Sequence, residues 1–396
     1  MQIGFVHFDR EDQKKYLAVL SQITEGGAID ELGIGRLRDY YSDRMFPGIS
    51  TLHQHAKYFS LLPLLYREAV KARYPSISDV RPHIRSLEIE MTRRLCEGSP
   101  GASGITGSDA LRNGNYVKYD PMYIYGMGLL TYGIVRTDNV EAAIYGASRK
   151  YHERPEKLPA TDEEQGDSDD GESLLNFCTC PSDLDYDWLK ECRLELTSNE
   201  AAFIREHILS APACKGTLLH HILDQRLALK ESEVPRFETF VLRYGASLPP
   251  VLAETARKAG LLADLVEGLY YRYNWLYSNE SDSKMLNRFN EWYSTVFLRE
   301  RWGFQDAIIG VSIHDNGSIK FSDDAIQHLI KEDWTQLDYL IKNRERRIKV
   351  SRYKIGNEKA GYHYDSAHPI HDYRLQFRWG TVLTMVNEIL GGLADE

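Results

Sequence analysis

The chain has 396 residues, enough for about two or three domains with cores of their own, and its 42% hydrophobic and 27% charged residues exclude a fibre or a wholly disordered chain. A net charge of −10 speaks against a protein that simply coats nucleic acid, and no apolar run reaches the roughly 18 residues of a membrane span. The start, Met1 to Asp9, lacks the basic segment and long apolar stretch of a secretion signal, so a cytoplasmic location without a membrane partner is expected.

In chain order, Ile3 to Phe8 predicts a short extended segment, after which Asp9 caps a helix with Tyr16, Leu17 and Leu20 inward. Ser50 reads as the cap of a longer helix with Leu52, Ala56, Phe59 and Leu62 on one face, kinked or interrupted at Pro63. Ser78 starts another through Ile84, Leu87, Met91 and Leu95, stopped by Gly98. Asp120-Pro121 joins a capping side chain to proline at the first helical position, and the helix it opens is apolar nearly all round, which predicts burial.

From Glu153 to Glu172 nine acids stand against Arg154 and Lys157, a net of −7, with four Pro and Gly residues and almost nothing apolar. Such a segment cannot bury enough surface to offset its ordering entropy. It reads as a flexible linker or loop, 153–172, between an N-terminal helical domain, 1–152, and a C-terminal helical domain, 173–396; a long insertion in one domain is the competing reading. The rest of the chain carries 46 basic and 49 acidic residues, balanced enough for a local basic surface.

Further on, Ser198 caps a helix with Phe203 and Ile208, Gly216 precedes an apolar segment from Leu218 to Leu223, and Pro250 to Tyr277 is helical in period. Ile309, Val311 and Ile313 alternate, and Asp315-Asn316-Gly317 then leads to Ile319 and Phe321, a hairpin signal. Trp334 to Ile355 predicts one long helix, and a last helix runs from Trp379 to Leu390, ended by Gly391-Gly392. The expected fold is mainly α: multi-helical, with a short N-terminal extended segment and one small β-hairpin near 308–321.

The block Asp30-Glu31-Leu32-Gly33-Ile34-Gly35, Arg38-Asp39, Ser42-Asp43, Phe46-Pro47-Gly48-Ile49-Ser50-Thr51 and Ala56-Lys57-Tyr58-Phe59 resembles the DUF6361 family of bacterial proteins. Gly104-Ile105-Thr106-Gly107, Tyr125-Gly126 to Ile134, Leu340 to Arg347, and Asp372-Tyr373-Arg374 to Leu393 resemble it as well. The family carries no assigned activity. The resemblance implies a defence-type gene neighbourhood with helicase and phospholipase-D-like nuclease genes, hence an accessory role beside DNA-acting enzymes.

Catalytic motifs are scarce. No phosphate-binding Gly-x-x-x-x-Gly-Lys-Ser/Thr loop or Gly-x-Ser-x-Gly elbow is present. His55-Ala56-Lys57 begins like a phospholipase-D motif, but Leu62 stands where aspartate is needed and no second copy follows. Cys178, Cys180 and Cys192, with His207 or Cys214, lack the spacing of a zinc ribbon or finger, so free thiols are expected, with no metal and no cofactor. His363, His368 and His371, with Asp365 and Asp372, read as a polar surface loop rather than a metal or acid–base site.

The strongest surface signal is Lys342, Arg344, Arg346, Arg347, Lys349, Arg352 and Lys354, opposed by Glu345 alone, a net of +6. Leu337, Ile341, Ile348 and Ile355 predict the inward stripe, with Lys342, Arg346 and Lys349 projecting together from another face. Guanidinium forks suit phosphates, so nucleic-acid backbone is the expected ligand; a solvated or acid-paired face is the competing reading. Arg36, Arg38 and Arg44 form a smaller patch beside Asp39 and Asp43. The functional expectation is a non-catalytic accessory or adaptor subunit of a DNA-acting complex, with helicase- or nuclease-type protein partners. The alternative is an enzyme of unrecognised type, such as a metal-dependent nuclease built from residues dispersed in sequence.

Overall fold

The computed structural model describes residues 30–153, 176–182, 187–188, 190–313, 317–357, 359 and 361–394. The Ile3–Phe8 segment, the Asp9 helix, the acidic stretch beyond Glu153 and the turn residues Asp315-Asn316 lie outside these. The described residues form helices α1 (Gly35–Met45), α2 (Tyr58–Val70), α3 (Val80–Gly98), α4 (Ser108–Arg112), α5 (Pro121–Thr131), α6 (Val140–Glu153), α7 (Ser198–Ser210) and α8 (Leu218–Asp224). There follow α9 (Phe237–Tyr244), α10 (Pro250–Tyr277), α11 (Ser283–Trp292), α12 (Gly317–Ile330), α13 (Trp334–Lys349) and α14 (Trp379–Ala394), with shorter turns between. Two compact units result, one within Met1–Met45 and Ser232–Trp379, the other within Phe46–Glu231 and Gly380–Glu396.

In the first unit α10 is the central element. It is buried through most of its length from Leu252 to Tyr277 and packs against α1, α11 and α13. Gly268 permits the α11 contact: a Cβ there would lie 2.3 Å from the Trp292 ring, so any larger residue would push the helices apart. The predicted β-hairpin is absent. Residues 311–313 have no regular structure, and Gly317 opens α12; among the described residues no β-strand forms, only an isolated antiparallel bridge between Val135 and Cys178 of the second unit. The alternation of Ile319 and Phe321 is the start of a longer helical period, because Phe321, Ala325 and Leu329 are buried together with Ser318, Ser322 and Ile326. The long helix expected from Trp334 to Ile355 also ends early, at Lys349, where Val350 takes a left-handed backbone with φ of 53°.

In the second unit α2 is buried over nearly its whole length, Pro63 included, and α3, α5, α6 and α7 pack around it. The helix read from Ser50 starts only at Tyr58; residues 50–57 form turns instead, with His53 N donating to Ser50 O. The Asp120-Pro121 start is realised: Asp120 Oδ1 accepts the Tyr123 N–H at 3.1 Å. The helix it opens buries only Pro121, Tyr125, Gly128 and Leu129, while Met122, Ile124, Met127 and Leu130 stay half-buried. The cap of α7 is Thr197, not Ser198, and Glu200 reaches back to the Thr197 N–H at 3.0 Å. Gly391-Gly392 does not end the last helix. Gly392 lies inside α14 because a Cβ there would sit 2.9 Å from Ala201 Cβ and 3.0 Å from Leu196 O, so this glycine serves close approach, not termination.

Candidate functional site

Asp333 caps α13 by accepting the Gln336 N–H at 3.2 Å, and Leu337, Ile341, Glu345 and Lys349 form its buried stripe at four-residue steps. Two of those four are charged, so hydrophobicity alone did not mark them as inward. Glu345 is fully buried and accepts three bonds: Tyr273 OH at 2.6 Å, Lys354 N at 2.8 Å and Ile355 N at 3.1 Å. Arg272 grips Asp338 through two bonds of 2.7 and 2.8 Å, joining α13 to α10.

Lys349 does not project with Lys342 and Arg346. It turns onto buried Glu31 at 3.1 Å, where Lys354 Nζ arrives at 2.8 Å and His371 Nε2 at 3.3 Å. Burial raises the pKa of the Glu31 carboxyl, but the bonds from His371 and Lys354 and the charges of Lys354 and Lys349 outweigh it and hold the pKa far below the usual carboxylate range. Arg344 donates to the carbonyls of Leu32 and Gly33 at 2.9 and 3.3 Å. Gly33, at φ 64°, leaves room for it: a Cβ there would stand 2.8 Å from Arg344 Nη2. Lys342, half-buried, lies 3.6 Å from Glu280. Four of the seven basic side chains are thus engaged within the unit.

Arg346, Arg347 and Arg352 are exposed and make no ion pair with a described residue. The Arg346 guanidinium lies over the Tyr353 ring, 5.2 Å from its centroid. Val350 makes this arrangement by reversing the chain at φ 53° and ψ −103°, a conformation costly for a β-branched residue, while remaining 73% exposed. The bonds from Lys354 N and Ile355 N to Glu345 pin the returning segment beneath it. Of the smaller patch, Arg38 pairs with Asp39 at 3.1 Å, and Arg378 reaches Asp39 and Asp43.

The histidine-rich loop disperses. His368 pairs with Asp365 at 2.8 Å in solvent, Asp372 binds Arg288, and His371 belongs to Glu31. Among the described residues no three His, Cys, Asp or Glu side chains converge as a metal site, and all five cysteines are free thiols. Sequence reasoning missed Glu31 as a hub; its one signal was an acid, beside Asp30, at the start of the glycine-rich block Asp30 to Gly35.

The second unit holds its own polar groups. His55 Nδ1 meets Glu388 Oε1 at 2.6 Å and Nε2 meets Ser103 O at 2.8 Å, so both ring nitrogens face acceptors, which only the imidazolium satisfies. Burial disfavours that charge, but the Glu388 and Ser103 oxygens hold the His55 pKa above its ordinary value. A cavity of about 350 Å³ opens beside this pair, lined also by Ala102, Leu194 and Glu195. Lys57 and Glu200, both buried, pair at 2.5 Å, and Ser60 Oγ donates to the other Glu200 oxygen at 3.0 Å. Glu88 on α3 is fully buried with one oxygen on the Met122 N–H at 2.7 Å; its other oxygen and the nearby Tyr66 hydroxyl have no partner among the described residues. Burial, then the charge of Asp120, push the Glu88 carboxyl up to about 8.

The family model described as a family of unknown function, DUF6361, matches residues 1–222, more than half of the chain; the segments 340–347 and 372–393 lie outside that range. No curated protein and no solved structure matches the chain. Among the described residues no helix is long and apolar enough to cross a membrane.

Proposed function

Since this chain belongs to the DUF6361 family, whose function is unknown, its own geometry has to supply a reading, and we propose a non-catalytic accessory subunit that holds a nucleic-acid backbone through Arg346, Arg347 and Arg352. The observation that carries the proposal is the division of the basic segment. Lys342, Arg344, Lys349 and Lys354 are engaged within the unit, whereas the three arginines face solvent without an acid partner among the described residues. Among the described residues, Glu345 and Glu31 are buried and bonded elsewhere, and Asp338 is held by Arg272. A competing role is local, since basic residues in the last turn of α13 offset the negative end of its dipole, worth about 0.3–1 kcal/mol.

Fluorescence anisotropy of labelled DNA between 50 and 200 mM salt separates the two roles. In the full chain, Arg346→Ala, Arg347→Ala and Arg352→Ala together should weaken binding for every sequence and flatten the salt slope by about one per lost phosphate contact. Unchanged binding and slope would leave Arg346 and Arg347 with only their role at the helix dipole, and Arg352 as a solvated side chain. Protein partners of helicase or nuclease type belong to the same proposal, and copurification from the native operon after nuclease digestion tests them.

A further inference from the structure

We propose that the arginine surface takes single-stranded nucleic acid, with exposed tyrosines serving as stacking platforms for unpaired bases. The inference rests on the backbone reading above and adds what that reading leaves open, the form of the strand. Tyr339 lies seven residues before Arg346 on α13, so the two share a face about 10 Å apart along the axis. Tyr339 is 65% exposed, an unusual position for a large ring on a helix that buries Leu337 and Ile341. At the C-terminal end of α13 Arg346 covers Tyr353, and in the segment that follows Tyr362 is 43% exposed with Lys354 Nζ 5.7 Å from its centroid.

Phosphates and rings are used differently by the two forms of nucleic acid. A duplex offers its phosphates but keeps its bases stacked inside, so exposed phenol rings gain little from it. A single strand presents both, and stacking on an aromatic ring or an arginine plane is sequence-tolerant because every base has a π-face. Tyr339 with Arg346 and Arg347 on the solvent side of α13 supply both kinds of contact, and exposed Arg352 in the following turn adds a further cation to the segment. The surface is also preorganised. The strained turn at Val350 is retained because Glu345 and Glu31 fix the segment after it, so little backbone ordering entropy is lost on binding.

The test compares a labelled oligothymidine, an oligouridine and a mixed-sequence duplex of equal length, by anisotropy at 50 mM salt with the full chain. The parent should bind both single strands at least about ten-fold tighter than the duplex. Tyr339→Ala should reduce single-strand affinity about ten-fold and leave duplex affinity unchanged, while Tyr339→Phe, which keeps the ring, should bind like the parent. Because Tyr339 is exposed, thermal melting of both variants should match the parent. Equal affinity for strand and duplex, or a Tyr339→Ala variant that binds the single strand like the parent, would overturn the stacking inference and leave the backbone reading in place. Failure of the parent to bind any of the three probes would overturn both.

Discussion

Glu31 in the first unit and Glu88 in the second are both buried carboxyls, yet their surroundings drive them to opposite charge states. Glu31 has three cationic or proton-donating neighbours within 3.3 Å and stays ionised. Glu88 has one backbone N–H, an oxygen without a partner among the described residues, and the negative charge of Asp120 nearby; at neutral pH it keeps its proton. Burial taxes the charged form in both cases, so what differs is the supply of donors. Asp120 shows the rule within the second unit itself: Arg81 at 2.5 Å and the Tyr123 N–H occupy the neighbouring carboxylate, and Glu88 is left with the proton.

The sharpest way to break the contrast is Glu31→Gln. It removes the counter-charge from Lys349 and Lys354 while keeping the shape, and it should cost about 3–5 kcal/mol in a denaturant titration of the full chain. A loss under about 1 kcal/mol would mean that the lysines escape to water and that the cluster is not structural. The pH dependence has a definite sign. A folded pKa below the ordinary glutamate value of 4.5 means that the Glu31 contribution is present above that pH and is lost progressively on acidification.

Glu88→Gln is the matched test, with the opposite sign. A carboxyl raised from 4.5 to about 8 contributes stability that is full below pH 4.5 and lost as the pH rises to 8. The parent should therefore lose up to about 1.4 kcal/mol per pH unit across that window from this group alone. The glutamine variant keeps an oxygen for the Met122 N–H, has no proton to lose, and should show a flatter profile and higher stability at pH 8. Melting curves for parent and variant at pH 5 and pH 8 decide it: parallel profiles would show that Glu88 is ionised throughout.

The smallest effect is expected at Lys342, on the same helix as Lys349 but half-buried and 3.6 Å from Glu280. Lys342→Ala should change stability by less than about 0.5 kcal/mol, whereas Lys349→Ala should approach the loss seen for Glu31→Gln. Equal effects at the two lysines would show that position along α13, not burial against Glu31, sets their contribution.

The helical character of the chain was readable because long elements carry both a period and a start signal. Pro250 to Tyr277 and the Asp120-Pro121 cap are the clearest cases. Failures came where one local signal has two physical causes. Glycine permits a helix stop and also close packing, and only Leu196 and Ala201 against Gly392 reveal which applies. Two alternating residues, Ile319 and Phe321, fit a strand or the opening of a helix, and the buried residues of the next two turns decide. In the candidate site, the basic run was visible, but its division into engaged and outward cations depended on Glu31, more than 300 residues away from Lys349 and Lys354. No linear pattern encodes that meeting.

The hydrogen bond from Tyr41 OH to Ala307 O spans 266 residues of chain, with a length of 2.9 Å. During synthesis at about 5–20 residues per second, the apolar face of α1 is made roughly 13–53 seconds before its partner exists. Leu37, Tyr41 and Met45, all buried in the finished protein, are exposed to other surfaces for that interval. The sequence in between, Phe46 to Glu231, supplies most of the second unit, which can collapse first. The first unit thus depends on the order in which the ribosome delivers its pieces, and α1 is the piece a chaperone would have reason to hold.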